Sequence, residues 1–78
     1  MDTRETLVNV IAEALGRDAA EISDDTNITA DFGATSVDFV HVTKGLEDAF
    51  DMSVPFMKFR RNKTIAEMVD FLDDLLEE

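Results

Sequence analysis

The sequence predicts an all-α fold: a small bundle of three main helices and one short helix, with a long ordered loop between the first two helices. In three segments, apolar residues recur at intervals of three and four, which places them on one face of a helix. No segment shows the two-residue alternation that is typical of a β-strand. A chain of 78 residues has the size of one domain, so we expect residues 1–78 to form a single unit.

The first helix is predicted near residues 3–15. Its apolar face comprises Leu7, Val8, Val10, Ile11, Ala14 and Leu15. Asp2 and Glu5 have the spacing of a capping box, in which two side chains satisfy free backbone amides at the start of a helix. Gly16 follows as a natural terminator, because glycine adopts the left-handed conformation of a helix end without strain.

Residues 16–35 are predicted to form the long ordered loop. Polar residues and alanine dominate this stretch, and Ile22, Ile28 and Phe32 are too widely spaced for an amphipathic element. We therefore expect these three side chains to hold the loop against the core. A loop of this length is uncommon in a compact domain and is often functional. Gly33 lies just before the next helix, where the backbone has to turn.

The second helix is predicted from Thr35 or Ser36 to Phe50, and Thr35 and Asp38 again have the spacing of a capping box. At about 100° per residue, the apolar side chains of this segment fall on two faces. The face expected to be core comprises Phe39, Val42, Leu46, Ala49 and Phe50. The opposite face carries Val37, Val40, His41, Lys44 and Asp48. Two apolar side chains are therefore expected in solvent beside the helix start, as in a docking patch.

The last third of the chain is predicted to contain the short helix and the third main helix. Pro55 suits the first turn of a short helix, where its missing N–H is harmless, and one turn would bring Phe56 and Phe59 inward. Thr64 and Glu67 form a third capping-box pair. The helical stripe that follows comprises Ile65, Met68, Val69, Leu72, Leu75 and Leu76.

Composition excludes several classes of function. The chain has 7 Lys and Arg against 18 Asp and Glu, a net charge of −11, and such a surface repels nucleic-acid backbones. With no cysteine and one histidine, it offers neither a disulfide framework nor a site of several His or Cys metal ligands. No apolar run could span a bilayer, and the first five residues are not those of a signal peptide. We expect a cytoplasmic monomer without nucleic-acid binding, membrane insertion or a metal site.

Conventional catalytic arrangements are also missing. His41 is the one base suited to neutral pH, and it lies five positions from Ser36, about 140° around the helix, so the two cannot pair within it. Acidic residues on exposed faces are usually solvated surface. By spacing alone, Ser36 would be an ordinary helix cap. We therefore predict that the chain is not an enzyme.

The segment from Asp31 to Asp38, DFGATSVD, resembles the attachment site of acyl carrier proteins, an Asp-x-Gly-x-x-Ser-x-Asp pattern with an apolar residue after the serine. The order of elements along the whole chain is similar to a standalone carrier, and the stretch from Leu46 to Pro55 resembles the exit of that family's second helix. The resemblance implies that Ser36 accepts 4′-phosphopantetheine from coenzyme A. It also implies that a phosphopantetheinyl transferase supplies the base and metal for that step. The thiol of the arm would hold an acyl group as a thioester.

The resemblance further implies partners and a docking surface. The implied partners are the transferase and the acyl-loading, condensing and acyl-transfer enzymes of fatty-acid, lipid or polyketide-type biosynthesis. Asp31 and Asp38 would help the transferase recognise the site, and Val37 and Val40 occupy positions that contact partners, although both are also compatible with tolerated surface valines. The predicted docking residues are Val37, Asp38, Val40, His41, Lys44, Glu47, Asp48, Lys58, Arg60 and Arg61.

Departures from the family pattern predict a specialised carrier and not a housekeeping one. Thr35 replaces the Asp that commonly precedes the serine, and His41 and Lys44 stand where fatty-acid carriers often have an acidic and an apolar residue. Residues 52–66 lack Asp and Glu, although the corresponding segment of those carriers is often acidic. This segment instead contains four of the seven basic residues, Lys58, Arg60, Arg61 and Lys63.

Two alternatives remain open. Pro55, Phe59 and Arg61 have the Pro-x-x-x-Phe-x-Arg spacing that resembles a turn of D-alanyl carrier proteins, which favours an aminoacyl or peptidyl cargo. The same bundle is also compatible with an acidic protein-interaction module that carries no arm.

Overall fold

Helical periodicity in the sequence corresponds to five α-helices in the computed structural model, which describes residues 2–77. The helices are α1 (Thr3–Leu15), α2 (Ile28–Phe32), α3 (Ser36–Phe50), α4 (Phe56–Arg60) and α5 (Ile65–Glu77), with one 3-10 turn at Ala19–Glu21. This part of the chain contains no strand, so the all-α prediction is confirmed. The three main helices are α1, α3 and α5, and α4 is the predicted short helix. Within residues 2–77, no helix has both the length and the apolar character needed to cross a bilayer.

The ends of the main helices follow local sequence signals, with two corrections. Gly16 ends α1 in the left-handed conformation, at φ 65°, as predicted. The side chain of Asp2 caps α1 by accepting the Arg4 N–H at 3.0 Å, and not the Glu5 N–H that the predicted capping box would use. An N-cap carboxylate can satisfy the amide of either the second or the third helical residue, and Asp2 uses the second.

The start of α5 also differs from the predicted capping box. Thr64 Oγ1 accepts the Glu67 N–H at 3.2 Å, as the spacing indicates. The Glu67 carboxylate accepts the N–H of Lys63 at 2.8 Å and not that of Thr64. Two amides in the first turn of α5 instead donate to loop carbonyls, Ile65 to Thr26 and Ala66 to Asp24, each at 3.1 Å. Because these amides have no partner within the helix, the loop completes the cap.

The core lies where α1, α3, α4 and α5 meet. Its fully enclosed side chains are Leu7, Ile11, Phe39, Val42, Leu46, Phe59, Ile65, Met68 and Leu72, together with Ile28 from α2. The ring of Phe59 on α4 lies between Phe39 and Phe71, with ring centroids 6.3 Å apart in both pairs. Burial of an aromatic side chain on so short a helix explains how α4 is held against α3, since five residues are too few to form a stable helix without packing.

The buried face of α3 is rotated slightly from the predicted one. Thr43 is buried, and its hydroxyl donates to the carbonyls of Phe39 and Val40 at 3.0 Å, which removes the penalty of burying a polar group. Ala49, predicted to be core, is exposed because it lies at the edge of this face, about 80° around the helix from Phe39. Hydrophobic periodicity missed this rotation because threonine counts as polar.

Residues 16–35 are ordered as predicted but are more helical than a plain loop. Asn27 accepts the N–H groups of Thr29 and Ala30, at 3.0 and 3.1 Å, and thereby caps α2. Elements of three and five residues are too short to produce the periodicity by which helices are recognised. Ile22 and Ile28 are buried and Phe32 is packed against the core, so the three predicted anchors are confirmed.

Candidate functional site

Ser36 is the first residue of α3, and its neighbour Thr35 performs the capping. Thr35 Oγ1 accepts the Asp38 N–H at 3.3 Å, and Asp38 Oδ2 accepts the Thr35 N–H at 2.9 Å. The predicted capping box is therefore confirmed. Because Thr35 satisfies the helix start, the hydroxyl of Ser36 takes no part in the cap, and the side chain is exposed to solvent.

The turn that presents Ser36 depends on Gly33. Gly33 ends α2 with φ at 68°, and its N–H donates to the carbonyls of Ile28 and Thr29. Ala34 follows with its side chain buried and its N–H bonded to the Ile28 carbonyl at 3.1 Å. A Cβ on Gly33 would meet nothing within 4 Å, so the requirement for glycine is conformational and not steric crowding. Only two residues then separate this fixed turn from Ser36.

The side chain of Arg60 reaches Ser36 from α4. Arg60 Nη1 donates to Ser36 Oγ at 2.7 Å, and this is the only side-chain hydrogen bond to Ser36 within residues 2–77. The guanidinium carbon also lies 5.2 Å from the ring centroid of Phe39, within the range of a cation–π contact. Sequence reasoning assigned Arg60 to partner docking and missed this contact, because the two residues are 24 positions apart.

The two carboxylates of the attachment pattern both bind backbone amides. Asp31 Oδ2 accepts the N–H of Asn27 at 3.0 Å, across α2, and Asp38 belongs to the cap of α3. These bonds give the acidic residues of the pattern a role in shaping the turn. The same bonds orient one oxygen of each carboxylate toward the backbone, and neither carboxylate forms an ion pair with Arg60 among the described residues.

The outer face of α3 has the predicted exposure. Val37 and Val40 are 62% and 50% exposed, and His41, Lys44 and Asp48 are exposed beside them. Met57 on α4 is 63% exposed and was missed. Met57 lies about 200° around α4 from the buried Phe59, on the opposite face of the helix. This spacing in the sequence could have predicted that Met57 is exposed. Exposed apolar side chains are therefore present on both α3 and α4.

Glu47 differs from the other predicted docking residues. Its side chain is half-buried, and its carboxylate accepts the N–H of Val54 at 2.9 Å. This bond holds the connection between α3 and α4, so Glu47 has a structural role that its sequence position did not indicate.

Positive charge is concentrated at the end of α4. Lys58, Arg60 and Arg61 are all exposed. A pocket of about 350 Å³ lies beside this end of the helix, lined by Asn27, Thr29, Ala30, Arg60, Arg61, Asn62 and Lys63. Three of these lining residues are cationic and none is acidic. In a chain of net charge −11, this is an unusual local balance.

Among the described residues, no histidine or carboxylate is hydrogen-bonded to the side chain of Ser36. His41 lines a different pocket, of about 390 Å³, together with Val10, Glu13, Ala14 and Gly45. Within residues 2–77, no group of three or more His, Cys, Asp or Glu side chains is arranged to hold a metal ion. The exposed hydroxyl of Ser36 therefore lies beside a cation, which favours the presence of a negatively charged group at this position.

Comparisons with known proteins agree with the resemblance carried by residues 31–38. The family described as "Phosphopantetheine attachment site" matches residues 5–72. An acyl carrier protein of Syntrophobacter fumaroxidans (strain DSM 10017 / MPOB) is 35% identical over 66 residues, which cover 85% of this chain and 82% of the relative.

The fold is also similar to a solved structure. The NMR structure of the HMG-ACPI domain from the CurA module of Lyngbya majuscula has a TM-score of 0.79, with 94% of this chain and 73% of that chain covered. At 23% identity, this similarity establishes the fold alone. The family match concerns function: its members are carriers, not catalysts, and bear 4′-phosphopantetheine covalently on a serine. The family match and the sequence identity together show that this chain belongs to the phosphopantetheine-binding acyl carrier family.

Proposed function

We propose that the chain is a specialised acyl carrier whose 4′-phosphopantetheine arm is attached to Ser36 Oγ. The observation that carries this proposal is the exposure of Ser36 in the DFGATSVD segment while Thr35 does the capping. The other two serines lack that setting. Ser23 Oγ lies 3.2 Å from Thr26 Oγ1 within the loop, and Ser53 stands outside the attachment pattern.

The attachment reaction needs only a nucleophilic oxygen from this chain. Ser36 Oγ would attack the phosphorus that bears the pantetheine in coenzyme A. The Oγ–P bond forms, the P–O bond of the pyrophosphate breaks, adenosine 3′,5′-bisphosphate leaves, and the serine proton passes to a base of the transferase. Because Arg60 donates to Oγ, the O–H proton of Ser36 remains free to be removed. The thiol at the end of the arm supplies the thioester that holds the acyl group.

Delivery then depends on tethering. A flexible arm raises the effective concentration of its cargo at a partner's active site without tight binding of the domain. Charge-steered, transient docking lets the carrier leave one enzyme and reach the next. We assign this docking to the exposed side chains of α3 and α4, in particular Val37, Val40, Met57 and Lys58. The setting we propose is a cytoplasmic monomer in which residues 1–78 form one carrier domain.

The specialised role is supported by the basic end of α4. Exposed Lys58, Arg60 and Arg61 would repel partner surfaces that are built to bind acidic carriers. We expect transfer from this carrier to be weaker than from a housekeeping carrier when enzymes of general fatty-acid synthesis are assayed with both. Lys58→Glu should reduce the difference in transfer between this carrier and the housekeeping carrier. Equal transfer by the two unmodified carriers would contradict the specialised role.

The attachment site is tested by intact-mass measurement after incubation with coenzyme A and a broad-specificity transferase. We expect a gain of about 340 Da, the mass of the attached group, on the unmodified sequence and on Ser53→Ala. Ser36→Ala should show no gain, with circular dichroism confirming that it is folded. A gain on Ser36→Ala, or none on the unmodified sequence with several transferases, would overturn the assignment. The second result would favour an interaction module that carries no arm.

The structure does not strengthen the aminoacyl alternative. Of its three residues, Pro55 is the N-cap of α4 and Phe59 is fully buried, so both are explained by the fold. Pro55 and Arg61 are both exposed, and only the side chain of Arg61 has no such role in the fold among the described residues. Identification of the thioester on carrier isolated from its natural host decides between acyl and aminoacyl groups.

A further inference from the structure

The contact between Arg60 and Ser36 is held in place from both sides. On the Ser36 side, the Gly33 turn and the Thr35 cap fix the start of α3. On the other side, α4 is anchored by Phe59, which is completely buried. The Asn62 amide closes the end of α4 by donating to the carbonyls of Lys58 and Phe59, at 3.2 and 3.1 Å. Arg60 therefore projects from a fixed position toward a fixed hydroxyl.

The guanidinium of Arg60 has spare capacity to bind an anion. It has five N–H donors, one of which is bonded to Ser36 Oγ, and none of the three ion pairs among residues 2–77 involves it. Arg61 and Lys63 line the same pocket and add positive charge without a carboxylate among the lining residues. A guanidinium matches the oxygens of a phosphate group in geometry and charge, and such bonds are stronger than those between neutral groups.

We propose that Arg60 anchors the phosphodiester of the arm. In the unmodified chain it donates to Ser36 Oγ. When that oxygen becomes an ester, it is a poor acceptor, and the non-bridging phosphate oxygens lie two bonds beyond it, on the phosphorus. Arg60 then donates to those oxygens with little movement of its side chain. This inference rests on the proposed attachment of the arm to Ser36.

Two consequences follow for the carrier. Attachment adds another negative charge to a chain already at −11, in the turn that also contains the Asp38 carboxylate, and Arg60 offsets that charge locally. The contact also holds the phosphate end of the arm on the side of α4. The first segment of the arm would thus start beside the pocket lined by Arg61 and Lys63, away from the pocket that contains His41.

The test compares apo and holo forms by NMR, with loading verified by mass. We expect the Nε–Hε signal of Arg60 to shift when the unmodified chain is loaded. The ³¹P signal of holo protein should shift in Arg60→Gln and remain in place in the control Lys63→Gln. The control removes the same charge from the same pocket, at a residue without a bond to Ser36. Loading should also lower the melting temperature more in Arg60→Gln than in the control.

The outcomes separate this inference from the proposed function. If the unmodified chain loads and neither the Arg60 signal nor the ³¹P comparison changes, Arg60 is no anchor, while Ser36 remains the attachment site. If Ser36 is not loaded, both proposals fail. Should Arg60→Gln not fold, the Arg60 signal of the unmodified chain still decides, because it needs no variant. Arg60→Lys, which keeps the charge but lacks the guanidinium, is then the second comparison.

Discussion

The ring of Phe59 on α4 packs against the ring of Phe39 on α3, with centroids 6.3 Å apart and planes inclined by 65°. This edge-to-face pair joins the helix that bears Ser36 to the helix that bears Arg60. Phe39 takes part twice, because the guanidinium of Arg60 also lies over its ring. This aromatic contact therefore helps to set the position of α4, and with it Arg60, relative to Ser36.

Phe59→Ala is expected to lower the free energy of unfolding by about 3–5 kcal/mol, since it leaves a cavity beside two other rings. That loss is a large part of the stability of a small domain. Phe56→Ala serves as the control, because Phe56 is only half-buried and should cost less. Urea unfolding followed by circular dichroism measures the stability of both variants. A similar, small loss of stability in the two variants would mean that Phe59 does not anchor α4.

Substitutions of Thr35 and Ser36 are expected to have opposite effects on stability and on loading of the arm. Thr35→Ala removes the cap of α3 and should lower the free energy of unfolding by about 0.5–2 kcal/mol. Ser36 remains available for loading in this variant. Ser36→Ala should change stability by no more than about 0.5 kcal/mol, as at ordinary surface positions, and abolish loading. Thermal unfolding together with intact mass measures the pair. If Ser36→Ala were the more destabilising change, Ser36 and not Thr35 would be the cap.

Gly45 and Val10 are expected to be energetically coupled. A Cβ on Gly45 would lie 2.8 Å from Val10 Cγ1, so α1 and α3 cross closely at this point. Gly45→Ala should be neutral or destabilising, because the steric conflict opposes a gain of about 1 kcal/mol in helix propensity. In a Val10→Ala background the same change should stabilise the protein. A double-mutant cycle that shows simple additivity would contradict the close crossing.

Added salt is expected to raise the melting temperature. The chain has a net charge of −11 on 78 residues, and salt weakens the mutual repulsion of its carboxylates by screening. The rise in melting temperature should be smaller in a variant with Asp73→Asn and Asp74→Asn, which changes two exposed residues of α5. Sodium chloride and tetramethylammonium chloride should act alike at equal ionic strength. A melting temperature that falls with salt would mean that attractive ion pairs, and not repulsion, dominate.

Much of the fold was predictable from patterns that span a few residues. The start of α3 follows from the spacing of Thr35 and Asp38, and the end of α1 follows from Gly16. The shortest elements and the exact core face were not predictable in this way. The 3-10 turn and α2 are too short to show periodicity, and the burial of Thr43 depends on what packs against α3.

The amino-acid sequence by itself determined the all-α class, the main helices and the segment that marks Ser36 as the candidate attachment residue. The helices arise from neighbours within about one helical turn, where spacing fixes which groups can meet. Ser36 is indicated by the resemblance of residues 31–38 to the attachment pattern of acyl carrier proteins. Only the tertiary structure decided that Arg60 bonds to Ser36, that Glu47 holds Val54 and that the loop caps α5. Such contacts join separate elements, and they form only after burial of the core has set the distances between helices.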